Sequence, residues 1–312
     1  MPSGTENTFL IAAMGEFVIG MLGNGFIVLV NCINWVKSKK LSSTDYILAS
    51  VALSRITLLW ITLTESFLMV LRPHIYASEK LATLTGILWS LSNHLATWFA
   101  TCLSIFYFFK IANFSHPCFV WLRWRIGKVL LVLPLGSLFL LFLQLGLIES
   151  FNGFWIKVYN THERNSTWSS GARETLYLNS FVTSNFIYLI PLLLSLSSLL
   201  LLFLSLMRHT RNARINSSSK DFSTEAHKRA MKMVLSFLLL SILHFFSIVL
   251  TGWCFLIVGT KQASLAVMLT WTIFPSGHSF ILILGSSKLR QTALGLLWHF
   301  KCHLKRVKPL AA

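Results

Sequence analysis

Seven stretches of this chain are each long and apolar enough to cross a lipid bilayer, and that repetition restricts its fold more than any other feature. They run from about 9 to 33, 46 to 71, 81 to 109, 126 to 148, 181 to 207, 231 to 258 and 264 to 284. A hydrocarbon core about 30 Å thick takes roughly 20 helical residues to span, and lipid offers the backbone no hydrogen-bond partners, so each stretch is expected as a helix. The expected fold class is therefore an all-α membrane protein, a seven-transmembrane helix bundle. An outer segment, 1–8, precedes it and a basic tail, 285–312, follows. Only 12% of the 312 residues are charged, against roughly 25% in soluble chains, which leaves too little polar surface to coat a globule.

Charge supports the count of seven. A formal net charge of +17 would suggest nucleic acid in a soluble protein, but here the basic residues lie between apolar runs and act as a topology signal. With seven spans, alternate loops share a side. One side then carries Lys37, Lys39, Lys40, Lys110, Arg123, Arg125, Lys128, seven basic residues in 208–232 and six in 288–308, which is 20 of the 27 Lys and Arg. The opposite side carries 6, and Arg55 stands alone inside a span. Basic loops face the cytoplasm, so the amino terminus is expected outside and the tail inside a plasma membrane. Removing the third span would swap every later loop and destroy this asymmetry. No nucleic-acid partner is implied.

The start of the chain has no basic segment and no small-residue cleavage site, so the first span reads as an uncleaved helix. Of three sequons, at Asn113, Asn165 and Asn216, only Asn165 falls outside, in the longest outer loop, and it is the expected glycosylation site. None of the five cysteines lies in that loop, so no outer disulfide framework is expected. Cys302 in the tail reads either as a palmitoylation site or as a free thiol.

Catalytic chemistry finds little support. Pro275-Ser276-Gly277-His278 matches a tetrapeptide of membrane phosphatases, but Glu65 stands where such enzymes carry a Lys before Arg72-Pro73, and no Asp follows His278. His299 and His303 have the i, i+4 spacing of metal ligands, yet the tail around them is strongly basic and repels a cation. There is no phosphate-binding loop and no nucleophile elbow. No enzyme activity, cofactor or metal is expected.

Polar residues inside the spans carry more information, because they are expensive in lipid and face the bundle interior. On the third span Trp89, Asn93, Thr97, Ala100 and Ser104 share an arc of about 80° at 100° per residue. Trp89 and Asn93, one turn apart near the outer end, suit a cavity that stacks a flat apolar ligand and orients it with one amide. Asn93 reads equally as packing glue between helices, worth about 0.6 kcal/mol. Met268, Trp271, Pro275 and His278 form a second inward face on the seventh span, where Pro275 can bend the helix. Arg55 needs polar partners such as Ser54, Asn24 or Ser286, or water, and reads as either adhesive or switch.

Several motifs then resemble a known family. They are Leu22-Gly23-Asn24-Gly25-Phe26-Ile27; Leu53-Ser54-Arg55; the run from Leu103 through Tyr107 and Lys110 to Asn113; Ser205-Leu206-Met207-Arg208-His209; Ser223-Thr224-Glu225-Ala226-His227; and His278-Ser279-Phe280-Ile281-Leu282-Ile283-Leu284-Gly285, followed by Lys288-Leu289-Arg290-Gln291. In this order they resemble the bitter taste receptors (taste receptor type 2), across nearly the whole chain. The resemblance implies a receptor of the G-protein-coupled type. It also accounts for the missing Asp-Arg-Tyr after the third span, the missing Asn-Pro-x-x-Tyr in the seventh, and the missing cysteine tie to the outer loop.

The resemblance further implies a small-molecule bitter agonist bound in the outer half by Trp89 and Asn93, with Met268 and Trp271 opposite and Phe186 beside them. It implies a heterotrimeric G protein, of the gustducin or inhibitory type, reached through Tyr107, Lys110, His209 and His227, with Arg55, His278 and Ser279 in the switching core. A basic inner surface suits that partner and the lipid bilayer alike. Two positions depart from the family: Ser286 where Asn is usual, and Phe222 where Pro is common, which weaken a polar contact and loosen a helix start. A vomeronasal-type pheromone receptor shares the architecture and is the alternative. A transporter or channel ranks lower, because no inverted repeat or paired broken helices are visible.

Overall fold

The computed structural model describes residues 3–39, 42–76, 78–112, 114–161, 171–216, 222–257 and 261–307 of the chain. Among these residues the regular structure is entirely helical: α1 (Gly4–Ser38), α2 (Ser43–Leu71), α3 (Pro73–Tyr76), α4 (Glu79–Ile111), α5 (Pro117–Trp124), α6 (Ile126–Thr161), α7 (Gly171–Asn216), α8 (Phe222–Ile257), α9 (Lys261–Gly285) and α10 (Ser287–Val307). The seven expected stretches fall on α1, α2, α4, α6, α7, α8 and α9, and these are the helices long and apolar enough to cross a membrane. Several are longer than a single crossing requires. α7 has 46 residues, of which Phe181–Arg208 form the apolar span.

Local chemistry sets the helix ends. Ser3 Oγ accepts from the Glu6 amide at 3.3 Å while Ser3 N donates to Glu6 Oε2 at 2.7 Å, a reciprocal capping box that opens α1. Ser42 Oγ accepts from the Asp45 amide at 3.2 Å at the start of α2. α1 stops at Lys39, whose φ of 51° is left-handed. Pro117 occupies the first turn of α5, where a missing N–H costs nothing, and His116 Nδ1 accepts from Cys118 N at 3.3 Å.

The spans close into a ring in which α1 packs on α2, α2 on α4, α4 on both α6 and α7, α7 on α8, α8 on α9, and α9 back on α1. α4 is drawn to the centre: 67% of its span is buried, against 11% for α6. The chemistry of α4 explains this. Its Thr, Ser, Asn and His side chains find partners only inside the bundle, whereas α6 is almost wholly aliphatic and aromatic and can face lipid. Small residues let backbones approach. A Cβ on Gly20 would meet Leu59 Cδ1 and Ser276 Oγ at 2.6 Å, and one on Gly23 would collide with Ser279 Oγ, so α1 and α9 touch through these glycines.

Three apolar clusters hold the assembly. One, at the end holding the amino terminus, joins Phe9, Met69, Val70, Tyr76, Leu265 and Met268. At the opposite end Ile27, Val51, Leu103, Leu282 and Leu289 form a second, and Ile105, Phe109, Phe119, Leu202 and Val234 a third. The segment expected as a basic tail is helical for most of its length. Ser286 makes the turn: its amide still reaches Leu282 O at 3.0 Å, and its Oγ accepts from Leu289 N at 3.4 Å, capping α10. Lys288 Nζ then donates to both Asp45 carboxylate oxygens at 3.0 Å, tying α10 to the start of α2.

Candidate functional site

The inward face of α4 organises the middle of the bundle. Asn93 is 1% exposed and lies beside the hydroxyl of Tyr188 on α7, which accepts from Gln144 Nε2 on α6. Three helices thus meet at one phenol. Asn93 Nδ2 and Trp89 Nε1 are buried without a partner among the described residues. Two unpaired donors one turn apart on the same face suit an acceptor-bearing guest, since a buried donor left unmatched is costly. Beside them, His94 Nε2 and Ser137 Oγ lie 2.9 Å apart and lock α4 to α6.

A narrow cavity opens immediately below, beginning at Thr97, one turn on from Asn93. Its walls come from four helices: Thr97, Ala100 and Thr101 of α4; Tyr188, Pro191, Leu192 and Ser195 of α7; Ser241, His244, Phe245 and Ile248 of α8; and Phe274 of α9. Mostly apolar walls with a few hydroxyls and one imidazole are the usual lining of a small-molecule site. The α7 wall is shaped by Pro191 inside the helix, whose carbonyl accepts from Thr101 Oγ1 at 3.2 Å, and Ser104 and Ser195 hydroxyls close the floor at 2.8 Å.

The expected ligand residues are only partly brought together. Trp89 and Trp271 pair with ring centroids 5.0 Å apart, bridging α4 and α9 above the cavity. Met268 is buried in the cluster at that end and faces a smaller cavity between α1, α2 and α9, with Glu16, Thr62 and Thr272. Phe186 is 64% exposed on the outer surface of α7. It stands two residues, about 200° of helix rotation, from the inward Tyr188, so it cannot share that wall. Sequence reasoning missed Tyr188, Gln144 and His244. Their signal was present, since each is a polar group within an apolar span.

A second polar group lies deeper. Arg55 is fully buried with its guanidinium carbon 5.2 Å from the centre of the Phe274 ring. His244 and His278 both stack with that ring, at 4.6 and 5.5 Å between centroids, and His278 also meets Phe237 edge-on at 3.9 Å. Asn24 Nδ2 donates to Gly20 O at 2.9 Å and to Pro275 O at 3.2 Å, and Ser279 Oγ donates to Ser276 O at 2.6 Å. The expected partners Ser54 and Ser286 do not serve Arg55: Ser54 Oγ donates to Val51 O at 2.9 Å, and Ser286 caps α10.

At the opposite end Tyr107 is partly buried between two of the apolar clusters, and Lys110 is exposed, reaching Thr44 Oγ1 at 3.4 Å across to α2. His209 and His227 lie on α7 and α8, with side chains outside the described residues, and Asn165 also lies outside them. Cys302, on α10, forms no disulfide among the described residues. Among the described residues no three His, Cys, Asp or Glu side chains cluster to hold a metal.

Comparison with known proteins adds independent evidence. A model of the taste receptor protein (TAS2R) family matches residues 1–301. The chain is 48% identical to taste receptor type 2 member 42 of Papio hamadryas and 47% identical to that of Homo sapiens, each over 314 residues and 99% of both chains. It is 43% identical to taste receptor type 2 member 7 of Macaca mulatta over 308 residues, 98% of this chain and 97% of the relative.

Proposed function

The chain belongs to the taste receptor type 2 family of seven-helix membrane receptors, and from that premise we propose that it detects small bitter compounds in the outer half of the bundle and signals through a heterotrimeric G protein. The observation that carries this reading is the pair of unpaired donors, Asn93 Nδ2 and Trp89 Nε1, one and two turns of α4 above Thr97, where the cavity begins. An agonist with a flat apolar body fills the cavity between α4, α7 and α8, and its acceptor takes the Asn93 amide. Tyr188 couples that event to α6 and α7. Binding shifts the receptor only if one helix arrangement holds the agonist better than another. The stacked Phe274, His244 and His278 link the cavity wall to Arg55, so their repacking is the proposed route from ligand to the opposite end.

Orientation follows from charge. With the amino terminus outside, the basic loops and α10 lie in the cytosol, where anionic lipid and an acidic G-protein surface both attract them. Tyr107, Lys110, His209 and His227 then fall on the side where a gustducin-type or inhibitory G protein docks. α10 carries Leu294, Leu297 and Trp298 exposed beside Lys and Arg, the make-up of a helix lying on the inner leaflet. Asn165 falls outside and carries the glycan.

Calcium imaging tests the reading directly. Cells expressing the chain with a promiscuous G protein, screened against a library of bitter compounds, should respond saturably to at least one. Responses that persist without the G protein, or agonist-gated current in its absence, would assign the chain to a different class.

A further inference from the structure

The Arg55 guanidinium presents five N–H donors, and none of its three nitrogens has a hydrogen-bond partner among the described residues. Both ring nitrogens of His278, Nδ1 of His244 and Oδ1 of Asn24 are likewise buried and unpartnered. These groups share one neighbourhood. Arg55 and both imidazoles surround the Phe274 ring, and Asn24 bonds to the next residue, Pro275. Neutral imidazoles each offer one donor and one acceptor, so donors outnumber acceptors, and the Arg carries a full positive charge. Water can satisfy N–H groups but brings no compensating charge. A buried cation without a counter-ion is strongly disfavoured.

We propose that Arg55, with His278, forms a binding site for a small monovalent anion of the halide class in the centre of the bundle. The residues favour a small ion over the carboxylate of an agonist. Arg55 has no exposed surface, and Phe274, which lines the ligand cavity, stands between that cavity and the guanidinium. Glu16 is engaged by Thr272 and Asp45 by Lys288, and Glu65, whose Oε1 accepts from Tyr76, stands ten residues along α2 from Arg55, about 15 Å of helix rise. This inference goes beyond the receptor reading and does not depend on it, since a chain that answers no bitter compound would still bind the ion.

The test uses the purified full-length protein in lipid nanodiscs, melted in sodium chloride, sodium bromide or sodium gluconate at constant ionic strength. Chloride and bromide should raise the melting midpoint saturably, by roughly 3 °C at ten times the dissociation constant, and gluconate, too large to enter, should not. Arg55→Gln should abolish the difference, and His278→Phe, which removes the imidazole donor, should raise the halide concentration at half-maximal effect several-fold. Equal midpoints in halide and gluconate overturn the proposal, as does a halide effect retained by folded Arg55→Gln. If Arg55→Gln fails to fold, binding of radiolabelled chloride to the wild-type protein decides: saturable uptake near one ion per chain supports the site, and none refutes it.

Discussion

Replacing Asn93 by Ala removes the one side chain that presents a free donor at the head of the cavity and also touches Tyr188. A neutral hydrogen bond in a water-poor site is worth about 1–1.5 kcal/mol. Losing it should therefore raise the half-maximal agonist concentration about 5- to 12-fold, by the conversion of 1.4 kcal/mol per factor of ten. The effect should be confined to agonists that carry an acceptor. Agonists of similar size without one should shift less than twofold. Folding should survive, because Tyr188 keeps its bond from Gln144 and the deletion leaves no new orphan on α6 or α7. The assay is a calcium concentration–response curve, paired with antibody measurement of surface level. If Asn93 only glues helices, the variant would lose surface expression and keep its agonist sensitivity. That outcome, or a shift below twofold for every acceptor-bearing agonist at normal surface level, would refute the pocket assignment.

The Trp89–Trp271 pair should show a coupling of about 0.5–1.5 kcal/mol in a double-mutant cycle on agonist potency, and simple additivity would deny that the pair acts as one lid. Gly23→Val should lower the melting midpoint and surface level by an overpacking cost of about 1–3 kcal/mol, because the new side chain meets Ser279, while Gly25→Ala, which faces open space, should behave as wild type. Asp45→Asn should cost no more than about 1 kcal/mol in thermal stability, since Lys288 is 40% exposed and solvent screens the pair; a larger loss would mean that α10 depends on this one contact. Asn165→Gln should abolish a glycosidase-sensitive mobility shift, and a wild-type chain insensitive to glycosidase would place its loop on the other side or leave the sequon unused.

The all-helical fold and the seven spans were legible in the sequence because lipid imposes one rule on every stretch that crosses it: the backbone must bond within its own helix. Runs of about 20 apolar residues therefore announce themselves without knowledge of their neighbours. The Trp89, Asn93, Thr97 face was legible for the same reason, since polar side chains at helical spacing must turn inward. Position around the ring was less so. Phe186 looked like a pocket aromatic, but an aromatic is equally content against lipid, and only the rotation of α7 decides that Tyr188 points in and Phe186 out.

Hydropathy and charge, which act residue by residue, determined that this chain is a seven-helix membrane protein and which of its loops are basic. The meeting of Asn93, Tyr188 and Gln144 from three helices, the cavity beneath them, and the gathering of Arg55, His244 and His278 around Phe274 belong to the tertiary structure alone. Those contacts join residues far apart in the chain, and their existence depends on how each helix is rotated and offset against its neighbours. Rotation and offset are set by packing of small residues and polar pairs across helix interfaces, a sum over many partners that no single stretch of sequence contains.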